Sequence, residues 1–229
     1  SFMYDKIKKK ILLHNPVLVS ISCLFSMASE VAHDVVTFVK KIDTNVKVLM
    51  GGGYPTNSPK ETLSDHNVDA AIIGEGEDAF NEILCSLDKY SPENYFHNPA
   101  IATQQSLDKK IKPIGDKIKD LDNLPYPAWD LLDNPISYIT GTNRTRSYDL
   151  KEKRCVSLYT SRGCPFYCTF CASHTVHGRK LRLHSLDHIF AEIDKLVKAY
   201  DINLLLLEDD IFNFNRKRTI DFCKGLIDR

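Results

Sequence analysis

The chain has 229 residues, of which 43% are hydrophobic, and its 30 Lys and Arg residues balance 30 Asp and Glu residues. This length suits two domains, each with enough apolar residues for a buried core. The zero net charge argues against nucleic acid as a partner, because phosphate binding needs a cationic excess. No apolar run reaches the roughly 18 residues of a membrane span, so no membrane association is expected.

Seven cysteines are present, and three of them, Cys164, Cys168 and Cys171, fall within eight residues. A disulfide framework spreads its cysteines more evenly and uses an even number, so a reducing cytoplasm is expected. The N-terminus lacks the apolar stretch of a secretory signal. The other four cysteines, Cys23, Cys85, Cys155 and Cys223, are expected to be core or half-buried residues.

The first 88 residues alternate between apolar runs of strand length and segments with helical periodicity. The predicted strands are 16–21, 46–50 and 68–73, and the predicted helices are 2–13, 29–42, one that begins at Pro59, and one through Phe80 and Leu87. Such alternation with short connections predicts an open, doubly wound parallel sheet with helices on both faces. Ligands of these sheets lie beyond the carboxyl ends of the strands, here 20–26, 51–55 and 74–77, which are rich in Ser and Gly.

Residues 91–150 hold six prolines and few periodic runs, which indicates a connecting segment with a short hairpin near 100–104 and 109–114. The alternation resumes with a strand at 155–159, a helix at 185–200 capped by Ser185, a strand at 203–207 and a helix at 215–228. The predicted domains are 1–98, a connector at 99–150, and 151–229.

The three clustered cysteines have the spacing C-x-x-x-C-x-x-C on a loop that follows a predicted strand. Three thiolates on one loop can each bind one iron of a 4Fe–4S cluster and leave the fourth iron open to a ligand. Phe166, Tyr167 and Phe170 are expected to shield such a cluster from water. A zinc site is the alternative, but zinc prefers two distant Cys pairs or Cys with distant His, and His174 and His177 are interpreted as loop residues.

Residues 154–229 resemble the opening of a radical S-adenosylmethionine enzyme, whose signature matches Cys164, Cys168 and Cys171. This resemblance implies that the open iron chelates S-adenosylmethionine and that Phe170 lies near its adenine. It also implies that the acidic run after the predicted strand at 203–207 contacts the methionyl amine of S-adenosylmethionine, with Glu208 and Asp209 as candidates. The usual Gly-Gly-Glu form of that contact is absent here.

Residues 14–88 resemble the cobalamin-binding domain that precedes the radical domain in one subfamily. Ser22-Cys23-Leu24 is followed after 26 residues by Gly51-Gly52, and Gly74-Glu75-Gly76-Glu77 is typical of the subfamily. The resemblance implies a cobalamin slot lined by Ser22, Leu24, Gly51, Gly52, Gly53, Glu75 and Gly76. The histidine element that supplies a cobalt ligand in related domains would lie upstream of residue 1, and the barrel would continue past residue 229, so a fragment of a longer protein is expected.

The fold class expected is α/β: an incomplete cobalamin-binding-like domain followed by the start of a partial (β/α) radical barrel. The function implied by the resemblance is a cobalamin-dependent methyltransferase that acts on an unactivated carbon through a 5′-deoxyadenosyl radical. It implies a small-molecule or peptide substrate and an electron donor such as flavodoxin or ferredoxin. The alternatives are a radical cyclase or oxidoreductase without methyl transfer, and a non-catalytic cofactor-binding fragment; the substrate stays open.

Overall fold

The computed structural model describes residues 2–87, 96–109, 115–139 and 154–229, which form two compact units. The first unit comprises Ser1–Lys117 together with His174–His177. The second comprises Ile118–Ser173 and Gly178–Arg229. None of the helices described is both long and apolar enough to cross a membrane.

The first unit is built on a four-stranded sheet with the order β1-β2-β3-β4. The first three strands are parallel, with Val19 opposite Val48 and Leu49 opposite Ala70, whereas β4 runs antiparallel to β3. The strands are β1 Leu18–Ser22, β2 Lys47–Gly51, β3 Ala70–Ile72 and β4 Ile101–Ala102. The helices are α1 Phe2–His14, α2 Ser29–Ile42, α3 Gly53–Asn57, α4 Pro59–Ser64, α5 Glu77–Ser86 and α6 Gln104–Asp108.

Both faces of this sheet are covered, as the near-continuous apolar character of β2 predicts. Val48 and Met50 belong to a hydrophobic cluster with residues of α2, while Leu49, between them, belongs to a second cluster with residues of α5. All three side chains are fully buried. Burial of each large aliphatic side chain stabilises the fold by about 1.5–3 kcal/mol. Because β2 is buried on both faces, it is the central strand of the unit's core. The predicted doubly wound α/β class is confirmed.

The second unit holds a parallel pair, β5 with β8, in which Val156 lies opposite Leu205, and an antiparallel pair, β6 with β7. Its strands are β5 Cys155–Leu158, β6 Ser161–Arg162, β7 Arg182–Leu183 and β8 Leu204–Leu207. Its helices are α7 Ile136–Ile139, α9 Leu186–Tyr200 and α10 Arg216–Ile227. The short helix α8, Ser173–His177, is divided: Ser173 belongs to the second unit and His174–His177 belong to the first. The buried stripe of α9, with Ile189 and Ile193, packs in one cluster with Val156 and Phe222.

The structure differs from the sequence-based expectations in several short elements. The short strand expected near 100–104 is confirmed as Ile101–Ala102, but it pairs with β3 and is followed by helix α6, so the expected hairpin with 109–114 is wrong. Residues 110–114 lie outside the described residues. His174 and His177 lie on the short helix α8 rather than in a loop. Cys85 and Cys223 are exposed, contrary to the expected burial, whereas Cys23 is buried.

Candidate functional site

The loop that contains the three clustered cysteines begins directly after β6. Gly163 adopts φ +88°, and a Cβ added there would lie 2.5 Å from the carbonyl oxygen of Lys180. The backbone N–H of Cys164 donates to the carbonyl of Gly178 at 3.3 Å, and that of Cys171 donates to the carbonyl of Cys168 at 3.2 Å. The start of the loop therefore packs against the backbone of residues 178–180, which follow α8. This contact orients Cys164.

The three thiols are accessible to a ligand. Cys164 is half-buried, Cys168 and Cys171 are exposed, and all three are free thiols. Among the described residues, the three sulfurs are not close enough to one another to hold a single metal ion. A cubane cluster needs no such gathering, because each thiolate binds a different iron.

The aromatic side chains between the cysteines lie at the surface. Phe166, Tyr167 and Phe170 are 53%, 76% and 91% exposed. The guanidinium of Arg179 packs over the Tyr167 ring at 3.9 Å from its centroid, and it also donates to the carbonyl of Phe166. These exposed rings do not form the expected shield around the cysteines in the protein alone. The Phe170 ring is accessible for contact with a ligand.

The acidic run after β8 is bound to neighbouring strand ends in the same unit. Glu208 is exposed and accepts a hydrogen bond from the Ser157 hydroxyl at 3.1 Å. Asp209 accepts from the backbone N–H and the hydroxyl of Thr160, both at 3.0 Å, and from the hydroxyl of Ser161. Asp209 therefore supports the segment that leads into the cysteine loop, while Glu208 keeps an exposed carboxylate.

In the first unit, the predicted Ser-x-Leu and glycine loops are in contact. The N–H of Cys23 donates to the carbonyl of Gly51 at 2.8 Å, and the N–H of Tyr54 donates to the carbonyl of Cys23 at 3.0 Å. Added Cβ atoms on Gly52 and Gly53 would lie 2.6 and 2.5 Å from the carbonyl oxygens of Cys23 and Leu24. These two glycines are thus needed for the close approach of the two loops, and the loops form one edge of the sheet as predicted.

The exposed part of this edge is apolar. Ser22 is exposed, and the next loop residues Leu24, Phe25 and Met27 are 62%, 67% and 90% exposed. Sequence reasoning selected Leu24 and missed Phe25 and Met27. Large apolar side chains that stay exposed next to one another commonly mark a binding surface.

Thr56 is a connecting residue that the sequence did not reveal. Its hydroxyl donates to the carbonyl of Gly52 at 2.7 Å and accepts from the N–H of Gly74 at 3.0 Å. It thereby joins the loops after β2 and β3. Its only sequence signal is its place four residues after Gly52, on a helix that the sequence did not predict.

Glu75, a predicted cobalamin contact, has a protein partner. Its side chain is 1% exposed, and its Oε1 lies 3.0 Å from Nδ1 of His177, which belongs to the same unit. Gly76, beside it, accepts from the N–H of Phe80 at 2.8 Å and begins helix α5. In the described residues, this segment therefore pairs with His177 through Glu75 and begins helix α5 at Gly76.

Comparison with known proteins adds the family. Residues 3–84 match the B12 binding domain family. An uncharacterized methyltransferase of Pyrococcus horikoshii, PH0819, is 31% identical over 219 residues, an alignment that covers 95% of this chain and 45% of the relative. The anaerobic magnesium-protoporphyrin IX monomethyl ester cyclase of Rubrivivax gelatinosus is 28% identical, with 98% of this chain and 39% of the relative covered.

A solved structure has the same fold. The radical S-adenosylmethionine methyltransferase TsrM of Kitasatospora setae, with cobalamin and a [4Fe–4S] cluster bound, superposes with a TM-score of 0.63 at 15% identity, over 100% of this chain and 44% of that one. The chain thus spans less than half the length of each of these proteins. The matched domain, the sequence relatives and the C-x-x-x-C-x-x-C loop agree, and the chain is similar to radical S-adenosylmethionine enzymes with an N-terminal cobalamin-binding domain.

Proposed function

We propose that this chain is the cofactor-binding part of a cobalamin-dependent radical methyltransferase that acts on an unactivated carbon. The observation that carries the proposal is the presence, in one chain, of a B12-binding domain and of three free cysteines on a loop that follows a strand. The relative from Pyrococcus horikoshii, described as a methyltransferase, supports methyl transfer as the reaction. When bound, the cofactors supply a 5′-deoxyadenosyl radical and a methyl group, and the protein supplies position and shielding.

Cys164, Cys168 and Cys171 are the proposed ligands of a 4Fe–4S cluster. Their loop fits such a group because all three thiols are free and because the second and third are exposed. Three thiolates leave one iron without a protein ligand, which is the position proposed for S-adenosylmethionine. The exposed ring of Phe170 and the exposed carboxylate of Glu208 are the proposed contacts of S-adenosylmethionine, and Asp209 is proposed as a further contact that also supports the loop.

The loops after β1 and β2 are the proposed cobalamin surface. A corrin ligand is large and partly apolar, and the exposed side chains of Leu24, Phe25 and Met27 beside the glycine backbone fit such a group. Ser22 is exposed on the same edge and can donate a hydrogen bond to a polar substituent. Gly51, Gly52 and Gly53 are proposed to line the surface with backbone atoms. Glu75 and Gly76 are proposed to position the loop after β3, which Thr56 joins to the glycine loop.

The substrate proposed is a small molecule or a peptide, and the reaction needs a one-electron donor of the flavodoxin or ferredoxin type. The cluster is sensitive to oxygen, which fits the reducing cytoplasm expected from the seven cysteines.

Anaerobic reconstitution with iron and sulfide tests the cluster. The wild-type chain is expected to bind close to four irons, and the C164A/C168A/C171A variant is expected to bind none. The matched control is C85A/C223A, which removes two exposed cysteines elsewhere and is expected to keep the full iron content. Retention of four irons by the triple variant contradicts the assigned ligands.

The full-length protein, reconstituted with cobalamin and reduced, tests the reaction. With methyl-labelled S-adenosylmethionine and a metabolite extract of the source cells, it is expected to form 5′-deoxyadenosine and a labelled product. Formation of 5′-deoxyadenosine with unlabelled product favours the second candidate, a radical cyclase, which the similarity to the Rubrivivax gelatinosus cyclase supports. If neither product forms with an iron-replete protein, the proposal is wrong.

A further inference from the structure

Three side chains of the second unit converge at a point that the cluster and cobalamin loops do not use. Nδ1 of His184 lies 3.0 Å from Oδ1 of Asp122, and Nδ1 of His188 lies 3.8 Å from the same oxygen. The three potential ligand atoms all lie within 4.8 Å of one another. All three residues are half-buried.

The local fold holds these groups in place. Asp122 lies in a short 3-10 turn, Leu121–Asn123, and its carboxylate accepts the backbone N–H of Ser185 at 3.0 and 3.2 Å. His184 directly precedes the Ser185 cap of α9, and His188 follows four residues later in the first turn. Positions four residues apart at a helix start lie on the same side, so the segment around Asp122 faces both imidazoles.

The two imidazole rings are oriented by stacking. Their centroids are 4.7 Å apart at 19°, and the Tyr126 ring lies 4.5 Å from that of His188. The ammonium of Lys195 lies 4.0 Å from the centroid of the Tyr126 ring. Ordered aromatic neighbours limit the rotation of His188, which lowers the entropic cost of holding a ligand atom in place.

The chemistry of the three groups suits a metal ion. A carboxylate oxygen and an imidazole nitrogen are both common ligands of divalent transition-metal ions.

We propose that Asp122, His184 and His188 bind one divalent transition-metal ion, separate from the iron–sulfur site. Two ligands of a tetrahedral ion at about 2.0–2.1 Å are about 3.3 Å apart. The observed Asp122–His184 and Asp122–His188 separations of 3.0 and 3.8 Å bracket this value, but the stacked imidazole rings must rotate for both nitrogens to point at one ion. Two histidines and one carboxylate are a donor set that Zn²⁺ and Fe²⁺ both accept, with further positions open to water or a ligand.

The surroundings leave space for these open positions. A cleft of about 460 Å³ is lined in part by Asp122, His184 and Arg218. The guanidinium of Arg218 donates to the carbonyls of Thr160 and His184, and its charge also interacts with Asp209. Arg162 is a second cation near His184. These cations repel a dication, so the Asp122 carboxylate and the two imidazoles must offset that repulsion.

The test first removes the three clustered thiols, which would compete for the metal ion. In the C164A/C168A/C171A chain, dialysed against chelator, calorimetric titration with Zn²⁺ is expected to give one ion per chain. H188Q and D122N in that background are expected to weaken binding by at least about tenfold. The matched control H66Q replaces an exposed histidine of the first unit and is expected to leave the affinity unchanged. Anaerobic Fe²⁺ is expected to compete with Zn²⁺, and Mg²⁺ is not.

A second measurement keeps the test independent of folding defects. Zn²⁺ is expected to raise the thermal unfolding midpoint of the C164A/C168A/C171A chain, because an ion that binds only the folded state stabilises it. H188Q is expected to fold, as judged by its circular dichroism without metal, and to lose this rise. No rise and no stoichiometric Zn²⁺ in the C164A/C168A/C171A chain overturns the proposal, and so does an affinity in H188Q and D122N equal to that of this parent chain.

Discussion

At the scale of single residues, two adjacent glycines of the first unit, Gly51 and Gly52, have different roles. Gly51 closes β2, and a Cβ added there would lie 3.9 Å from the Cβ of Ile72, an ordinary contact. Gly52 combines φ +103° with a close approach to the Cys23 carbonyl. A left-handed backbone and a backbone contact both exclude a side chain, so only the second of these two glycines is required by its conformation.

We expect G52A to destabilise the first unit by about 1–3 kcal/mol, because the added methyl group strains the backbone and separates the two loops. The control G51A is expected to change stability by less than about 1 kcal/mol. Hydrogen exchange of the β1 and β2 amides in increasing urea measures both. Equal effects of the two substitutions would show that the loops do not approach as described.

The sequence predicted where the candidate site residues lie but not what they contact. Strand ends and the cysteine spacing are local features, so the Ser22–Leu24 and Gly51–Gly53 loops could be placed together on one edge. The partner of Glu75 is His177, 102 residues away, and Asp209 bonds Thr160, 49 residues away. No local pattern encodes such pairs, which is why both were predicted as ligand contacts only.

At the scale of elements, two serines with similar sequence signals begin helices in different ways. Ser185 accepts a hydrogen bond from the N–H of His188 at 3.1 Å, as an N-cap does. Ser58, a residue type common at helix N-caps and three residues before Glu61, makes no side-chain cap hydrogen bond before α4. Pro59 at the first helical position explains why α4 begins there without the cap.

S185A is therefore expected to destabilise the start of α9 by about 1 kcal/mol, since an N–H of the first turn loses its acceptor. S58A is expected to change the stability of α4 by only a few tenths of that amount, because no side-chain hydrogen bond is lost. Hydrogen exchange of peptides that cover each helix start compares the two. A larger effect at Ser58 contradicts the assigned caps.

The long elements followed from periodicity, and the short ones did not. Helices α2 and α9 bury regular apolar stripes, so the pattern alone located them to within a few residues. Helices α3 and α8 have five residues each, and β4 has two. Elements this short depend on tertiary contacts, such as the antiparallel pairing of Ile101 with Ile72, and leave no periodic signal.

At the scale of the whole molecule, the two units have separate hydrophobic clusters. Leu63 and Val36 belong to the main cluster of the first unit, and Phe222 and Ile193 belong to that of the second. The clusters share no residue. The sequence predicted two α/β regions because each supplies its own alternation of strands and helices, but it could not assign His174–His177 to the first unit.

Separate clusters predict separate responses to core mutation. F222A removes a ring that stacks on Phe190 at 5.8 Å and is 2% exposed, and we expect a loss of about 3–5 kcal/mol in the second unit. L63A removes a side chain that is 1% exposed and is expected to cost about 2–5 kcal/mol in the first unit. Trp129, the single tryptophan, packs on the second cluster, so its fluorescence in urea reports that unit. The fluorescence midpoint is expected to fall in F222A and to change little in L63A, while hydrogen exchange at β2 behaves in the opposite way. A fall of the fluorescence midpoint in L63A as large as that in F222A would mean that the two clusters stabilise one cooperative structure.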